Sequence, residues 1–472
     1  MLPELTFSSV RSAFFRDDDT LGSWIRTTLY FCAFIGALAS ALFSFPWSTL
    51  IRRRSPLVIL APAFSLAALL MTWRLILMFF VDFTLRHASH PDPPNLFVEA
   101  YVLVVDSWPG WLWSCTLLCW VAVACPVAHT EACRRGMPAR TALAYIILAF
   151  LGAVSLAFPL FFAHLLVLPR KPTSVSRATP AAINASRGNR WLWPACTIAA
   201  VLSTLSLPIG VRYSRPLFIA ALALLHVVLA VPYGYEWASQ AHVTTDGGGR
   251  RISVAGRAAG ARGASAVAAL SSSQLRWLAL ATALLHSMAM VGAVSELRAS
   301  SAQRALHTPA ELLELMQGLV DAAFRNVCQQ SISIDAALSS LVSLVFVLST
   351  SEWTVGERAH LVACCLLTPA LGPASTLALV SAQRAESEVE KEVEKEVEKE
   401  VEKEVEKEVE KEVEKELSRL SSTQQRVRTS TRDEDRSVAE VPLQSRGGAA
   451  SAALPRASSA SRRRRERSPA RA

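Results

Sequence analysis

Ionisable residues inside or beside apolar stretches are the side chains of this sequence that could do chemistry. Arg74 lies in "LLMTWRLILMFF", Glu99 in "LFVEAYVLVVDS", and Asp335 in "SISIDAALSSL". A charge at membrane depth costs on the order of 3 kcal/mol and must therefore face a partner or water. One interpretation gathers these three residues around a polar cavity, where Glu99 or Asp335 is a catalytic acid or binds a transported ion. The alternative is that Arg74 pairs with one carboxylate, or extends to the headgroups, and only fixes helix packing.

A second candidate set, for binding, combines Arg74 with the acids Asp106 and Glu131, which border a later apolar stretch. The chain contains no G-x-S-x-G, H-E-x-x-H or Walker motif, which lowers the enzyme class. Its nine cysteines fall mostly in apolar runs, where Cys packs as a small hydrophobe. We therefore expect no cofactor and no metal site. Three histidines are assigned to hydrogen-bonded packing: His164, His226 and His286.

Long apolar stretches are the elements that must position these residues. The 472 residues are 51% hydrophobic and only 18% charged, against about 25% charged in soluble domains. Crossing a hydrocarbon core takes about 20 apolar residues in one helix. Nine stretches approach that length: 28–46, 57–81, 111–128, 141–168, 192–210, 216–232, 277–295, 332–350 and 360–380. The sixth is short and the ninth contains Pro369 and Pro373, so eight is an alternative count.

This pattern predicts an all-α fold, a polytopic transmembrane bundle of eight or nine spans with a charged C-terminal helix or linker. Residues 96–107 are interpreted as an interfacial or re-entrant segment because they hold two acids. The predicted organisation has four parts: an N-terminal tail (1–24), the bundle (25–382), an EVEK repeat (388–416) and a disordered Arg/Ser-rich tail (417–472).

Seven copies of "EVEK" form the repeat at residues 388–415. A four-residue period advances 400° around a helix, so Val389 and its successors drift around the axis instead of forming a heptad seam. Charges four residues apart are alike, which weakens an isolated helix. The repeat is predicted to be a solvated single helix or an extended charged linker, and not a durable coiled-coil seam.

A helix start is also readable before the eighth stretch. Thr308 is the expected N-cap, Pro309 occupies the first helical position, and Glu311 follows the cap by three residues. Apolar residues then recur at helical spacing. We expect an amphipathic helix on the membrane surface or against the bundle.

Arginines in short loops indicate the cytosolic side of a membrane protein. With nine spans, one side collects the basic residues of three loops: 52–54, Arg134 with Arg135 and Arg140, and Arg212 with Arg215. That side is predicted to be cytosolic, with the N-terminus outside and the tail inside. Two basic loops, 169–191 and 233–275, disagree with this assignment. The first contains the sequon at Asn184, a glycosylation candidate that favours an external position.

The basic end of the tail contains four consecutive arginines: Arg462, Arg463, Arg464 and Arg465. A cytosolic tail of this kind attracts anionic lipid headgroups at roughly 1 kcal/mol per arginine. Membrane lipids are the expected partners, with anionic headgroups or a protein engaging the tail; nucleic acid is not expected. The predicted location is an integral position in an endomembrane or the plasma membrane.

Part of the chain resembles a known pattern. Residues 97–162 resemble a module of uncharacterised fungal integral membrane proteins, in which an acid and a basic pair followed by glycine lie between two spans. Here these are Glu131, Arg134, Arg135 and Gly136. "SISIDAALSSLVSLVF" is similar to a later span of the same proteins, with Asp335 near its start. The resemblance implies a polytopic endomembrane protein, with a link to specialised metabolism and no established activity.

Three function classes remain open from the sequence. The first is a non-catalytic membrane protein of the scaffold type, whose tail engages lipid or a partner. The second is a transporter or channel that uses the buried arginine–acid set. The third is a membrane-embedded enzyme that acts on a lipid or terpenoid substrate.

Overall fold

Helices make up all of the regular structure that can be described for this chain. The computed structural model describes residues 21–53, 56–87, 96–169, 191–242, 270–300, 308–350 and 355–437, and every regular element in these ranges is an α-helix. The all-α class predicted from the sequence is therefore confirmed. The first seven helices are α1 (Leu21–Ser44), α2 (Trp47–Arg53), α3 (Pro56–Arg86), α4 (Leu96–Val105), α5 (Trp108–Arg135), α6 (Ala139–Leu151) and α7 (Val154–Val167). The others are α8 (Leu192–Tyr213), α9 (Arg215–His242), α10 (Ser272–Ser300), α11 (Pro309–Ala323), α12 (Val327–Thr350), α13 (Val355–Leu371) and α14 (Pro373–Ser437).

Six of these helices are long and apolar enough to cross a membrane: α3, α5, α8, α9, α10 and α12. Shorter apolar helices are the Thr28–Ser44 part of α1, α6 and α7. A membrane-helix bundle is thus supported at the level of element type and length. The finer count of eight or nine spans is not reproduced, and two departures from it have clear physical reasons.

Helix α5 forms the centre of the bundle and packs against α4, α8, α10 and α12. Its sequence is apolar all round, as a helix surrounded by other helices requires. Trp111 and Trp120 are fully buried, and the Trp120 ring meets Phe158 of α7 edge to face at 4.8 Å between centroids. Ser107 caps the start of α5, and Gly136 ends it in the left-handed conformation.

The apolar stretch 141–168 does not form one continuous helix. It is divided at Gly152–Ala153 into α6 and α7, which run antiparallel as a helical hairpin. Tyr145, in the middle of α6, stacks on Phe161 in the middle of α7 and bonds His164 one turn farther on. Each arm has 13 or 14 residues and is therefore only about 20 Å long, too short to cross the core. The hairpin enters the bundle and returns to the same end.

The stretch 360–380 is divided in the same way. Gly372 has φ of +81°, in the left-handed region, and Pro373 follows at the first position of α14. The Thr376 hydroxyl donates to the carbonyl of Cys364 at 3.2 Å, which pairs the start of α14 with the middle of α13 in antiparallel fashion. This is a second hairpin, formed by α13 and the first turns of α14.

The first hairpin changes which loops share an end of the bundle. The guanidinium carbon of Arg212 lies 5.4 Å from the centre of the Trp108 ring, at the start of α5, whereas Arg135 ends α5 about 40 Å away. The prediction that the loop of Arg212 and Arg215 shares a side with Arg134 is therefore wrong. That prediction treated residues 141–168 as one membrane crossing, which placed the loop of Arg212 at the Arg134 end.

The predicted start of the amphipathic helix is confirmed, whereas the interfacial or re-entrant position of residues 96–107 stays a prediction. Helix α11 begins at Pro309 with Thr308 and Glu311 forming a reciprocal capping box, and it exposes apolar side chains such as Leu313. Residues 96–105 form the ten-residue helix α4, about 15 Å long and too short to cross.

The chain divides into two units, Met1–Lys391 and Glu392–Ala472. In the second unit the described residues continue α14 to Ser437, so the EVEK repeat is helical. Each valine of the repeat is more than half exposed, as a solvated helix requires.

Candidate functional site

The N-terminus of α7 is capped by a carboxylate from another helix. Residue Ala153 occupies the N-cap position in an extended conformation and has no side chain able to accept a bond. Asp335 of α12 takes its place: one carboxylate oxygen accepts from the amide of Val154 at 3.1 Å and the other from the amide of Ser155 at 2.5 Å. The negative charge lies at the positive end of the helix dipole, which stabilises the hairpin tip.

The C-terminus of α7 is capped by a cation. The guanidinium of Arg135, at the end of α5, donates to the carbonyls of Leu165 at 2.6 Å and Leu168 at 2.8 Å. Its Nε donates to Glu131 at 2.6 Å. Arg135 therefore satisfies free carbonyls at the negative end of α7 while its own charge is balanced one turn away. All residues of α7 except Leu166 are buried, so water cannot supply these bonds.

Glu131 and Arg135 belong to a larger ion-pair network. Both are nearly buried, at 3% and 7% exposure. Glu388, on the first part of α14, pairs with Arg134 at 2.6 Å and with Arg384 at 3.1 Å. Arg384 also approaches Glu131 at 3.7 Å. Charged side chains at the end of α5 and on the first part of α14 thus connect these two helices within the first unit, and Arg135 extends the network to α7.

The tip of the second hairpin is held by neutral polar contacts. Thr368 and Thr376 bond each other at 2.7 Å, and Ser375 bonds Thr282 of α10 at 3.0 Å. A Cβ on Gly372 would lie 2.8 Å from the ring of His286, so this ring packs directly on the glycine. Gly152, at the other tip, is covered in the same way by the ring of Phe34.

Residues proposed from the sequence are distributed over several places. Asp335 caps α7, and Glu131 lies in the buried ion-pair network. Glu99 pairs with Arg86 at 2.8 Å, about 18 Å along α3 from Arg74. Arg74 itself is exposed on the surface of α3. The three residues Arg74, Glu99 and Asp335 therefore do not converge around one cavity.

Asp106 is also separate from the other acids. It lies 4.0 Å from Arg325, and both side chains are well exposed, so it belongs to the surface at the start of α5. The proposed binding set of Arg74, Asp106 and Glu131 is thus spread over three environments. Two other predicted sites, Asn184 and the arginines at 462–465, lie outside the described residues.

Sequence reasoning missed the residues that shape the two hairpin tips and the role of Arg384. One signal was available: "LGAVS" at 151–155 and "LGPAS" at 371–375 share Leu, Gly and Ser at equal spacing. In each case a helix ends at the leucine and the next helix begins within two residues of the glycine. A search for such short matches inside apolar stretches would have found both tips.

Histidines and cysteines occupy packing positions, as the sequence indicated. His226 bonds the carbonyl of Leu222 at 2.7 Å, and His286 lies 3.3 Å from the hydroxyl of Thr116. His164 bonds Tyr145. The sulfurs of Cys115 and Cys119 lie 3.8 Å apart as free thiols. Within the described ranges no three His, Cys, Asp or Glu side chains come together in a way that could hold a metal ion.

Comparison with known proteins adds no relative. No protein-family model matches the sequence, and neither a curated protein nor a solved structure gives a significant match. The helices and their lengths define the class: an α-helical protein with at least six helices suited to cross a membrane. The resemblance to fungal membrane proteins stays a prediction.

Proposed function

We propose that this chain is a multi-pass integral membrane protein of the scaffold type, whose bundle holds the start of a long charged helix at one membrane face. The observation that carries the proposal is the ion-pair network that joins Glu388 to Arg134 and Arg384 to Glu131. Its charges, and that of Asp335, are engaged in fastening helices together. Groups used in this way are less available for proton transfer or ion binding.

The attachment can be tested with a charge swap. Arg134→Glu or Glu388→Arg alone should speed amide hydrogen exchange in residues 384–391 about fivefold, as expected for loss of a pair contributing about 1 kcal/mol. The double variant restores the pair and should return exchange toward the original rate. Arg419→Glu, which reverses an exposed charge farther along α14, is the matched control. Unchanged exchange in both single variants would refute the attachment.

We propose further that seven helices cross the membrane, α1 and the six long ones, and that the end holding Arg135 faces the cytosol. Helix α1 has 24 residues and is about 36 Å long. Leu168 and Trp193, which flank one undescribed segment, both contact the last third of α5. Segments 169–191 and 243–269 then share this end, with five and four basic residues against one acid.

The opposite end is poorer in positive charge. Of the segments that join helices there, 88–95 contains Asp92 and neither Lys nor Arg, 301–307 contains Arg304, and the turn between α8 and α9 is flanked by Arg212 and Arg215. The two basic loops that disagreed with the orientation derived from nine spans agree with this arrangement, because each loop connects two helix ends on the proposed cytosolic side. The sequon at Asn184 would be cytosolic and unused. The tail, with Arg462–Arg465, would be cytosolic as well and available to anionic headgroups in an endomembrane or the plasma membrane.

A transporter or channel is the second candidate, favoured by the two helical hairpins. Broken helices at membrane depth occur where they are buried in protein or line a cavity, and half-helix termini often bind substrates in transporters. In proteoliposomes that contain a pH dye and a potassium gradient, this candidate predicts proton or potassium flux above that of empty vesicles. Asp335→Asn should then reduce flux at unchanged protein abundance.

The scaffold proposal makes the opposite prediction for the same variant. Asp335→Asn removes the acceptor for one of two buried amides, so abundance and thermal stability should fall together, by roughly 1–3 kcal/mol of unfolding free energy. Flux should equal that of empty vesicles before and after substitution. Asp106→Asn, at an exposed carboxylate, controls for loss of charge alone.

A further inference from the structure

A cavity of about 280 Å³ lies beside the tip of the first hairpin. Its walls come from α1, α3, α4, α5, α6, α8, α9 and α12 together with the turn at 151–154. Most of the lining is aromatic or aliphatic, including Phe79, Phe80 and Val121. The volume is close to the lower end of the range for small-molecule sites in proteins. This space belongs neither to the ion-pair network nor to the second hairpin.

Two buried hydrogen-bonding groups on the cavity wall have no partner among the described residues. They are the hydroxyl of Thr72 on α3 and the indole N–H of Trp111 on α5, on side chains that are 3% and 0% exposed. A buried polar group without a partner costs roughly 1–3 kcal/mol, and proteins retain few of them. The indole can only donate, and the hydroxyl can donate or accept. Their missing partner must therefore offer an oxygen acceptor.

The charge beside the cavity restricts that partner further. Asp335 also lines the cavity, and its two oxygens already accept from the amides of α7. An anionic ligand would be repelled by this carboxylate. A cation would lose its water in a space lined mainly by hydrocarbon, at high cost. A neutral ligand with a long apolar part avoids both penalties.

Water is a poor occupant for the same space. At about 30 Å³ per molecule, 280 Å³ corresponds to roughly nine waters, and each ordered water needs two to four polar partners. The polar side chains on the wall, which include Tyr101, Ser331 and His226 besides Thr72 and Trp111, can satisfy only part of these molecules. Apolar cavities of comparable size stay dry and take up apolar ligands. The surrounding bilayer is a continuous source of suitable molecules.

We propose that this cavity binds a neutral lipid through a hydroxyl or carbonyl oxygen held by Trp111 and Thr72, with the apolar chain against Phe79, Phe80 and Val121. Fatty or isoprenoid alcohols and sterols share this chemistry. The site is independent of the scaffold proposal, because none of these five side chains takes part in the ion-pair network.

Photoaffinity labelling of the purified full-length protein in lipid nanodiscs tests the site. Three diazirine probes distinguish the ligand classes: a long-chain alcohol, its matched carboxylic acid, and a sterol. The alcohol or the sterol should label peptides from residues 72–80 and 111–121 saturably, and the carboxylic acid should label them at least severalfold less. Absence of saturable labelling in these peptides by either neutral probe would overturn the proposal, as would equal labelling by the acid.

Variants of the two donors complete the test. Thr72→Val removes one hydroxyl with little change of shape, and Trp111→Phe removes the indole N–H together with one fused ring; each should weaken labelling about fivefold. Trp73→Phe is the matched control, because its indole N–H is also buried without a partner in the described chain but does not line the cavity. Thermal unfolding of each variant establishes that it is folded. Equal labelling of all three folded variants would assign the space to water or to nonspecific lipid.

Discussion

At the scale of single residues, this protein uses its buried charges to complete helix ends. Asp335 and Arg135 occupy the N- and C-terminal ends of α7, each with the sign that the helix dipole favours. The sequence indicated correctly that Asp335 and Glu131 need partners, because an ionisable group in an apolar stretch is costly. It could not name those partners, since the amides of α7 lie about 180 residues from Asp335 along the chain.

Arg135 offers the sharpest residue-scale prediction. Arg135→Gln should lower the free energy of unfolding by about 3 kcal/mol or more, because it uncaps α7 and leaves the buried carboxylate of Glu131 without its closest cation. Arg134→Gln, at a side chain that is 31% exposed, should cost less than about 1 kcal/mol. Unfolding in mixed detergent micelles, followed by tryptophan fluorescence, measures both.

A second variant keeps that prediction testable if Arg135→Gln does not accumulate. The double variant Glu131→Gln with Arg135→Gln removes the buried carboxylate that has lost its closest cation and should recover part of the lost stability. Equal stability of Arg134→Gln and Arg135→Gln would contradict the capping role.

At the scale of elements, locally encoded features were predictable and the hairpins were not. The capping box of α11 involves residues three positions apart, so the sequence alone specified where that helix begins. The stretch 141–168 is apolar throughout and reads as one span. Its division depends on Gly152 fitting beneath Phe34 and on the cap from Asp335, and both partners come from other helices.

The tip of the second hairpin gives an element-scale prediction. Gly372→Ala should destabilise the protein by roughly 1–3 kcal/mol, because φ of +81° strains a residue with a Cβ and because that Cβ would meet the ring of His286. Gly356→Ala, in a helical position of α13 with no heavy atom within 4 Å of the added Cβ, should be neutral or stabilising by up to about 1 kcal/mol. Thermal unfolding of the two variants should therefore shift in opposite directions, and a parallel shift would argue against the strained tip.

At the scale of the whole molecule, the two hairpins are the basis for the proposed number of membrane crossings. Counting apolar stretches yielded eight or nine spans, because two hairpins were each counted as one crossing. If neither hairpin crosses the membrane, the nine predicted spans become seven. The two chain ends then still lie on opposite sides of the membrane, and the loop of Arg212 lies at the end opposite to Arg135. Composition therefore predicted the class of protein, and the proposed seven-span topology depends on tertiary contacts.

Single cysteines in a cysteine-free background test this topology. Arg140→Cys and Pro169→Cys flank the first hairpin and should react with a membrane-impermeant maleimide from the same side of sealed vesicles. Tyr213→Cys, at a position that is 82% exposed at the far end of α8, should react only from the other side. Labelling of positions 140 and 169 from opposite sides would restore a single crossing by 141–168.

The capping of α7 by a residue so distant in the chain has a consequence for biogenesis. When the ribosome has made residues 154 and 155, about 180 residues of polypeptide remain to be synthesised before Asp335 exists. At translation rates of about 5–20 residues per second, that delay is roughly 10–40 s. During this interval the two amides at the start of α7 lack their hydrogen-bond acceptor, so α7 cannot pack stably against the other helices. Nascent chains interrupted before position 335 should therefore be degraded selectively by quality-control proteases.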